Sequence, residues 1–133
     1  MRVLKTYARV FVADLDESLP LYETLVGASA DLRFAFERAE LAAVGDFLLI
    51  AGADDDVAPY RSTVGPVIVD DLDGLIAVVA GPSGAEVIGE SESATGRFAY
   101  VRHPDGAVVE YVEWSPEVVA SVLGTPKAGH PHG

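Results

Sequence analysis

The feature that most constrains this chain is an internal repeat. Val12-Ala13-Asp14-Leu15-Asp16 returns 57 positions later as Val69-Asp70-Asp71-Leu72-Asp73. At the same offset Leu19 meets Ile76, Gly27 meets Gly84, Leu41 meets Phe98, Ala42 meets Ala99 and Val44 meets Val101. Matches at turn, apolar and glycine positions are those that two copies of one folding unit would keep. With only 133 residues, the copies must share a core rather than form separate domains.

Each copy reads as a strand, a helix and then a meander of strands. Residues 5 to 13 alternate, with Ala8, Val10 and Val12 on one face and Tyr7, Arg9 and Phe11 on the other. Asp-Leu-Asp then supplies helix-start chemistry, since an Asp carboxylate accepts from free backbone N–H groups. Pro20 inside a helix would lose a hydrogen bond, which favours Asp16 over Asp14 as the cap. Leu19, Tyr22, Leu25 and Val26 form the expected buried stripe, ended by Gly27. Strands follow at 31–38, 40–44 and 47–51, with Leu32, Phe34 and Phe36 sharing a face. Residues 53–62, with three adjacent aspartates, read as a solvated acidic linker; the alternate-ligand spacing of a calcium loop is missing.

The second copy opens with a strand at 63–69, continues into a short helix, and resumes in strands near 86–88, 96–102 and 107–114. His103-Pro104-Asp105-Gly106 is a reverse turn, with His103 expected in solvent. Ser115-Pro116-Glu117 starts a C-terminal helix whose Val118, Val119, Val122 and Leu123 lie together before Gly124. The expected organisation is one domain over 1–124, with modules at about 5–52 and 63–114, a helix at about 115–124, and a flexible tail at 125–133.

Two β-α-β-β-β copies, each opened by a strand and Asp-Leu-Asp, resemble the vicinal oxygen chelate superfamily of glyoxalases, bleomycin-resistance proteins and extradiol dioxygenases. The segment from Arg102 to Glu110, a Pro-Asp-Gly turn and then an apolar strand with a glutamate, is similar to that superfamily's terminal signature. The resemblance implies an α+β fold of two curved modules around a cavity, usually in a homodimer and often with modules paired across subunits. It also implies metal-ligand positions on the first and last strand of each module, which fall on Tyr7, Ile50, Val64 and Glu110. One carboxylate, a phenol and two aliphatics cannot form the shell that zinc or iron needs, so no metal and no cofactor are expected.

Charge narrows the partners further. Nine basic residues against 21 acidic ones give a formal charge of −12, which repels phosphate backbones and anionic membranes and favours cationic molecules. The absence of cysteine removes disulfides and thiolate chemistry. The chain begins with an alternating segment rather than the apolar block of a signal peptide, so a cytoplasmic protein is expected. His130 and His132, in Gly-His-Pro-His-Gly, fall in the tail and are not expected to be functional.

The candidate ligand-binding residues are Tyr7, Arg9, Phe11, Ile50, Val64, Tyr100, Glu110 and Trp114. Tyr60 is a further possible wall, while Phe34 and Phe36 are expected in the core rather than the pocket. Aromatic walls with one or two fixed charges suit a small molecule. The expected function is therefore metal-free binding of a small aromatic, cationic ligand, as in the resistance-protein branch. Two alternatives stand beside it: a lyase, isomerase or dioxygenase-like enzyme using Glu110 as base or ligand, and a protein-interaction module.

Overall fold

The computed structural model describes residues 1–79, 81 and 83–124; His130 and His132 lie outside the described residues. The first module comprises β2 (Ala8–Val12), α1 (Leu15–Val26), β3 (Leu32–Phe36), β4 (Ala39–Val44) and β5 (Phe47–Ala51). The second comprises β6 (Val64–Val69), α3 (Leu72–Val79), β7 (Glu86–Ser93), β8 (Gly96–Arg102) and β9 (Val108–Trp114). They are joined by α2 (Asp54–Arg61), preceded by β1 (Val3–Thr6) and followed by α4 (Pro116–Leu123). The four-stranded sheet runs β2-β5-β4-β3 and the five-stranded sheet β1-β6-β9-β8-β7. In both, the opening strand lies parallel to the closing one, β2 on β5 and β6 on β9, so the architecture is α+β with tandem βαβββ modules.

Strand alternation distributes the core over three layers. In β5, Leu49 and Ala51 face α1, where they pack with Leu15 and Leu19, while Leu48 and Ile50 face the other module. In β8, Ala99 and Val101 pack under Leu72 and Leu75 of α3, while Phe98 faces inward. Ala42 and Ala99, like Val44 and Val101, have no exposed surface. These repeat-matched residues sit where a helix lies on a sheet, a contact that admits little volume change. One core cluster contains Tyr7, Leu48 and Ile50 together with Ile68, Phe98, Val112 and Trp114, so the two modules pack against each other in this chain.

Four expectations about the elements need correction. The strand expected at 5–13 breaks at Tyr7, whose N–H donates to Pro66; β1 joins the second module's sheet and β2 the first module's. The cap of α1 is Asp14, accepting from Glu17 N–H at 3.1 Å, and Pro20 lies inside the helix. Asp71 makes the matching bond to Gly74 N–H at 2.9 Å, so both copies cap with the first Asp of Asp-Leu-Asp. Capping at Asp14 turns Leu15 and Leu19 inward and leaves Leu25 66% exposed and Val26 on the surface. The acidic linker is helical: its three aspartates occupy the first turn of α2, where the helix dipole favours negative charge, and Val57 anchors it. His103 is half-buried rather than in solvent, its Nε2 2.9 Å from the Tyr111 hydroxyl.

Candidate functional site

The inward faces of the two sheets enclose a cleft of about 70 Å³. The first module supplies Tyr7, Arg9, Leu32, Phe34, Phe36, Leu41, Leu48 and Ile50; the second supplies Pro66, Ile68, Phe98, Tyr100, Glu110, Val112 and Trp114; Tyr60 comes from α2. The aromatic rings fall into two contacting groups, Tyr60–Phe36–Phe98–Tyr100 and Tyr7–Trp114. Phe36 stands edge-on to Phe98 at 5.6 Å and to Tyr60 at 6.2 Å, Phe98 to Tyr100 at 5.8 Å, and Tyr7 lies 6.0 Å from Trp114. Such T-shaped contacts match ring edges to ring faces.

One charged pair lies in the cleft. Arg9 on β2 forms an ion pair through Nη2 with Glu110 on β9, the two side chains being 8% and 15% exposed. Arg9 Nη1 donates to the Tyr60 carbonyl at 3.1 Å and to the Thr63 hydroxyl. The pair exists because β2 and β9 belong to different modules whose inward faces meet. Burial raises Glu110 above the usual carboxylate range, and the attraction of Arg9 only partly offsets it. Tyr100, the ladder partner of Glu110, is pushed up to about 12, by burial first and then by the Glu110 charge. Tyr60 donates its hydroxyl to Glu37, and burial with that bond holds its pKa well above the ordinary phenol value. Tyr7 is raised as well, by burial and by Asp31 and Asp46; its hydroxyl and Arg9 Nε are buried without a partner.

Of the residues expected at the site, Tyr7, Arg9, Ile50, Tyr100, Glu110 and Trp114 line the cleft, and Val64 and Phe11 do not. Val64 is 56% exposed. At Gly65-Pro66 the β6–β9 register shifts, so that Pro66 rather than Val64 faces inward. Gly65 adopts φ +116° and packs so close to β9 that a Cβ would fall 2.8 Å from the Glu110 carbonyl. Phe11 turns into a shallow surface crevice beside α2, where the Arg61 guanidinium sits 4.5 Å above its ring. Phe34 and Phe36, expected in the core, are cleft walls. Phe98 was not among the expected site residues, although stepping two residues back from Tyr100 along the same strand face finds it. Thr95 and Ser93 also line the cleft and bond each other at 3.1 Å; no sequence pattern marks them.

No family model and no curated protein sequence matches this chain. Among solved structures, an uncharacterized protein from Methanosarcina mazei is 41% identical, covering 86% of this chain and 95% of that one, with a TM-score of 0.80. At that identity and coverage the two proteins belong to one family. Methylmalonyl-CoA epimerase from Mycobacterium tuberculosis aligns with a TM-score of 0.64 at 21% identity, over 89% of this chain and 93% of that one. A variant of the Streptomyces coelicolor methylmalonyl-CoA epimerase, in complex with 2-nitronate-propionyl-CoA, gives 0.62 at 16%, over 86% and 97%. These epimerases are members of the vicinal oxygen chelate superfamily. The chain has the vicinal oxygen chelate fold.

Metal-using proteins of the vicinal oxygen chelate fold gather ligands on the facing strands, and the residues here do not fit that role. Paired through the ladders, Phe11 answers to Ile68 and Ile50 to Val112, so Leu48, not Ile50, answers to Glu110. Pro66 stands where Arg9 does in the first copy. At this level of the cleft stand arginine, leucine, proline and glutamate, with Tyr7 and Ile50 beside them, and the only carboxylate among them is held by a guanidinium that repels a divalent ion. Among the described residues, no three His, Asp or Glu side chains converge. Glu110, the carboxylate that lines the cleft, is engaged by Arg9, and Glu37 outside it accepts from the Tyr60 hydroxyl. No helix among the described residues is long and apolar enough to cross a membrane.

Proposed function

We propose that the cleft binds a small, largely apolar aromatic molecule without a metal. The observation that carries this reading is the composition of the cleft: a nearly unbroken aromatic and aliphatic wall drawn from both modules, crossed by one charged pair. Apolar walls with few polar groups are the usual form of a small-molecule site. Size sets the class of ligand. A cavity of about 150 Å³ takes up benzene, so about 70 Å³ encloses only part of a ring-sized ligand. Drug-sized ligands occupy pockets of about 300–1,000 Å³. The epimerase neighbours act on methylmalonyl-CoA, but such a ligand is anionic, and here Arg9 is already engaged and the chain carries −12.

Trp114 is the only tryptophan and it lines the cleft, so its indole N–H resonance reports directly on occupancy. Titration with single-ring aromatics, neutral and cationic, should shift that resonance saturably and raise the melting temperature. If no member of the panel moves the Trp114 signal, the reading fails. A second reading has its own observation: Glu110 is a buried carboxylate held above the usual range, as suits a general base. It requires deuterium exchange into an α-carbonyl compound that is lost in Glu110→Gln. Equal exchange in both proteins excludes it.

A further inference from the structure

Among the described residues, two buried side-chain polar atoms have no partner in the protein: the Tyr7 hydroxyl and Arg9 Nε. Both side chains line the cleft, and both are more than nine-tenths buried, Tyr7 at 4% and Arg9 at 8% exposure. Buried polar atoms elsewhere in proteins are satisfied, and an unpaired one is destabilising. Thr95, buried in the same cleft, shows the ordinary outcome by bonding Ser93. A phenylalanine at position 7 would keep the ring contact with Trp114 and remove the unpaired hydroxyl. The hydroxyl therefore weakens the free protein without a structural return.

The chemistry of these two atoms defines what would complete them. Arg9 Nε–H can only donate. Tyr7 keeps its proton, because burial and the charges of Asp31 and Asp46 oppose ionisation. An acceptor is the one group type that would satisfy either atom, since a phenol hydroxyl can donate and Arg9 Nε–H does nothing else. It must also be neutral: Glu110 already balances Arg9, and a second carboxylate beside it would be repelled. We infer that the molecule held in the cleft carries a neutral acceptor oxygen of the ketone, aldehyde or amide type, and that Tyr7 is the residue that selects it. The inference rests on the cleft being a ligand site, and it adds the polar group that the ligand must bear.

The test compares acetophenone with α-methylstyrene, which has the same shape but a methylene in place of the carbonyl oxygen. Binding is followed by the Trp114 indole resonance in wild type and Tyr7→Phe. Transfer from water alone favours the hydrocarbon, so a preference for the ketone reads the hydrogen bond. Acetophenone should bind wild type at least tenfold more tightly, and Tyr7→Phe should abolish that preference. Ligand-free Tyr7→Phe should also melt a few degrees higher than wild type. If both compounds bind and the hydrocarbon binds equally or better, the acceptor inference is overturned while the cleft reading stands. A preference that survives in Tyr7→Phe overturns the role of Tyr7, and so does a variant that melts lower. If neither compound moves the Trp114 resonance, the cleft reading itself falls.

Discussion

Replacing Glu110 by leucine would remove one partner of the buried pair and leave the other charged. A guanidinium stays charged in proteins, and the remaining acceptors of Arg9 are the Tyr60 carbonyl and the Thr63 hydroxyl. Breaking a buried pair from one side costs about 3–5 kcal/mol. Melting entropy is roughly 2.1 cal/mol/K per residue, or about 0.28 kcal/mol/K for 133 residues, so Tm should fall by about 11–18 °C. The opposite variant, Arg9→Met, should lose less, because Glu110 can escape its uncompensated charge by taking up a proton. Removing both charges in Arg9→Met/Glu110→Leu should return stability to within about 2 kcal/mol of wild type, since apolar replacement of a whole buried pair is often neutral or better. Urea denaturation of the four proteins at pH 7 gives the coupling energy directly. A double variant as unstable as the sum of the singles would refute the buried, coupled pair. So would a Glu110→Leu variant within 1 kcal/mol of wild type. The double variant also separates roles, because a pair that only supports the fold can be lost without loss of ligand binding.

Glu110 also sets a pH dependence. Its folded pKa lies above the unfolded value, so its contribution is fully present below the ordinary carboxylate pKa and is lost as pH rises through the raised one. Thermal melts should therefore show wild type gaining on Glu110→Gln as pH falls from neutral towards the ordinary carboxylate value, and parallel curves would contradict the assigned burial. Gly65→Ala should destabilise by more than about 2 kcal/mol, because it combines a positive φ with a contact no Cβ can make; a melting point unchanged within 2 °C would show that β6 does not press on β9 there. Asp14→Ala should lose about 1 kcal/mol of cap energy. Asp16→Ala should lose less, since Asp16 makes only an exposed ion pair with Arg33 at 3.0 Å. Denaturant midpoints that reverse this order would assign the cap to Asp16.

The tandem fold was legible because its signals are local and repeated. Helix-start aspartates, glycine stops and period-two strands each name an element, and their recurrence names the module. What was not legible is where one element serves two sheets or where a slip of one residue changes a face. Residues 5 to 13 read as one alternating strand, yet the chain changes sheets at Tyr7, a tertiary event with no local marker. Val64 was assigned from the superfamily's first-strand ligand position, and the register shift between Val64 and Val67 leaves it exposed instead. The acidic linker concealed α2 because a helix buried at Val57 and Tyr60 has too little apolar periodicity to announce itself. At the site, Arg9 and Glu110 stood out as charges on apolar strands. Their meeting across the modules follows only from how the sheets face each other.

That meeting has a consequence for how the two copies diverged. Positions facing the helices, such as Ala42 with Ala99 and Val44 with Val101, stayed identical because each copy solves the same packing problem there. Positions facing the cleft did not: Arg9 corresponds to Pro66 and Glu110 to Leu48. A symmetric cleft with arginine at both opening-strand positions and glutamate at both closing-strand positions would bury four charges in about 70 Å³. Each buried ion carries a desolvation penalty of several kcal/mol. Keeping one charge from each copy leaves a single pair that neutralises itself across the module boundary. It also leaves the pair's ladder neighbours apolar, Leu48 beside Arg9 and Pro66 beside Glu110. The asymmetry therefore sets one self-neutralised charged pair within otherwise apolar walls.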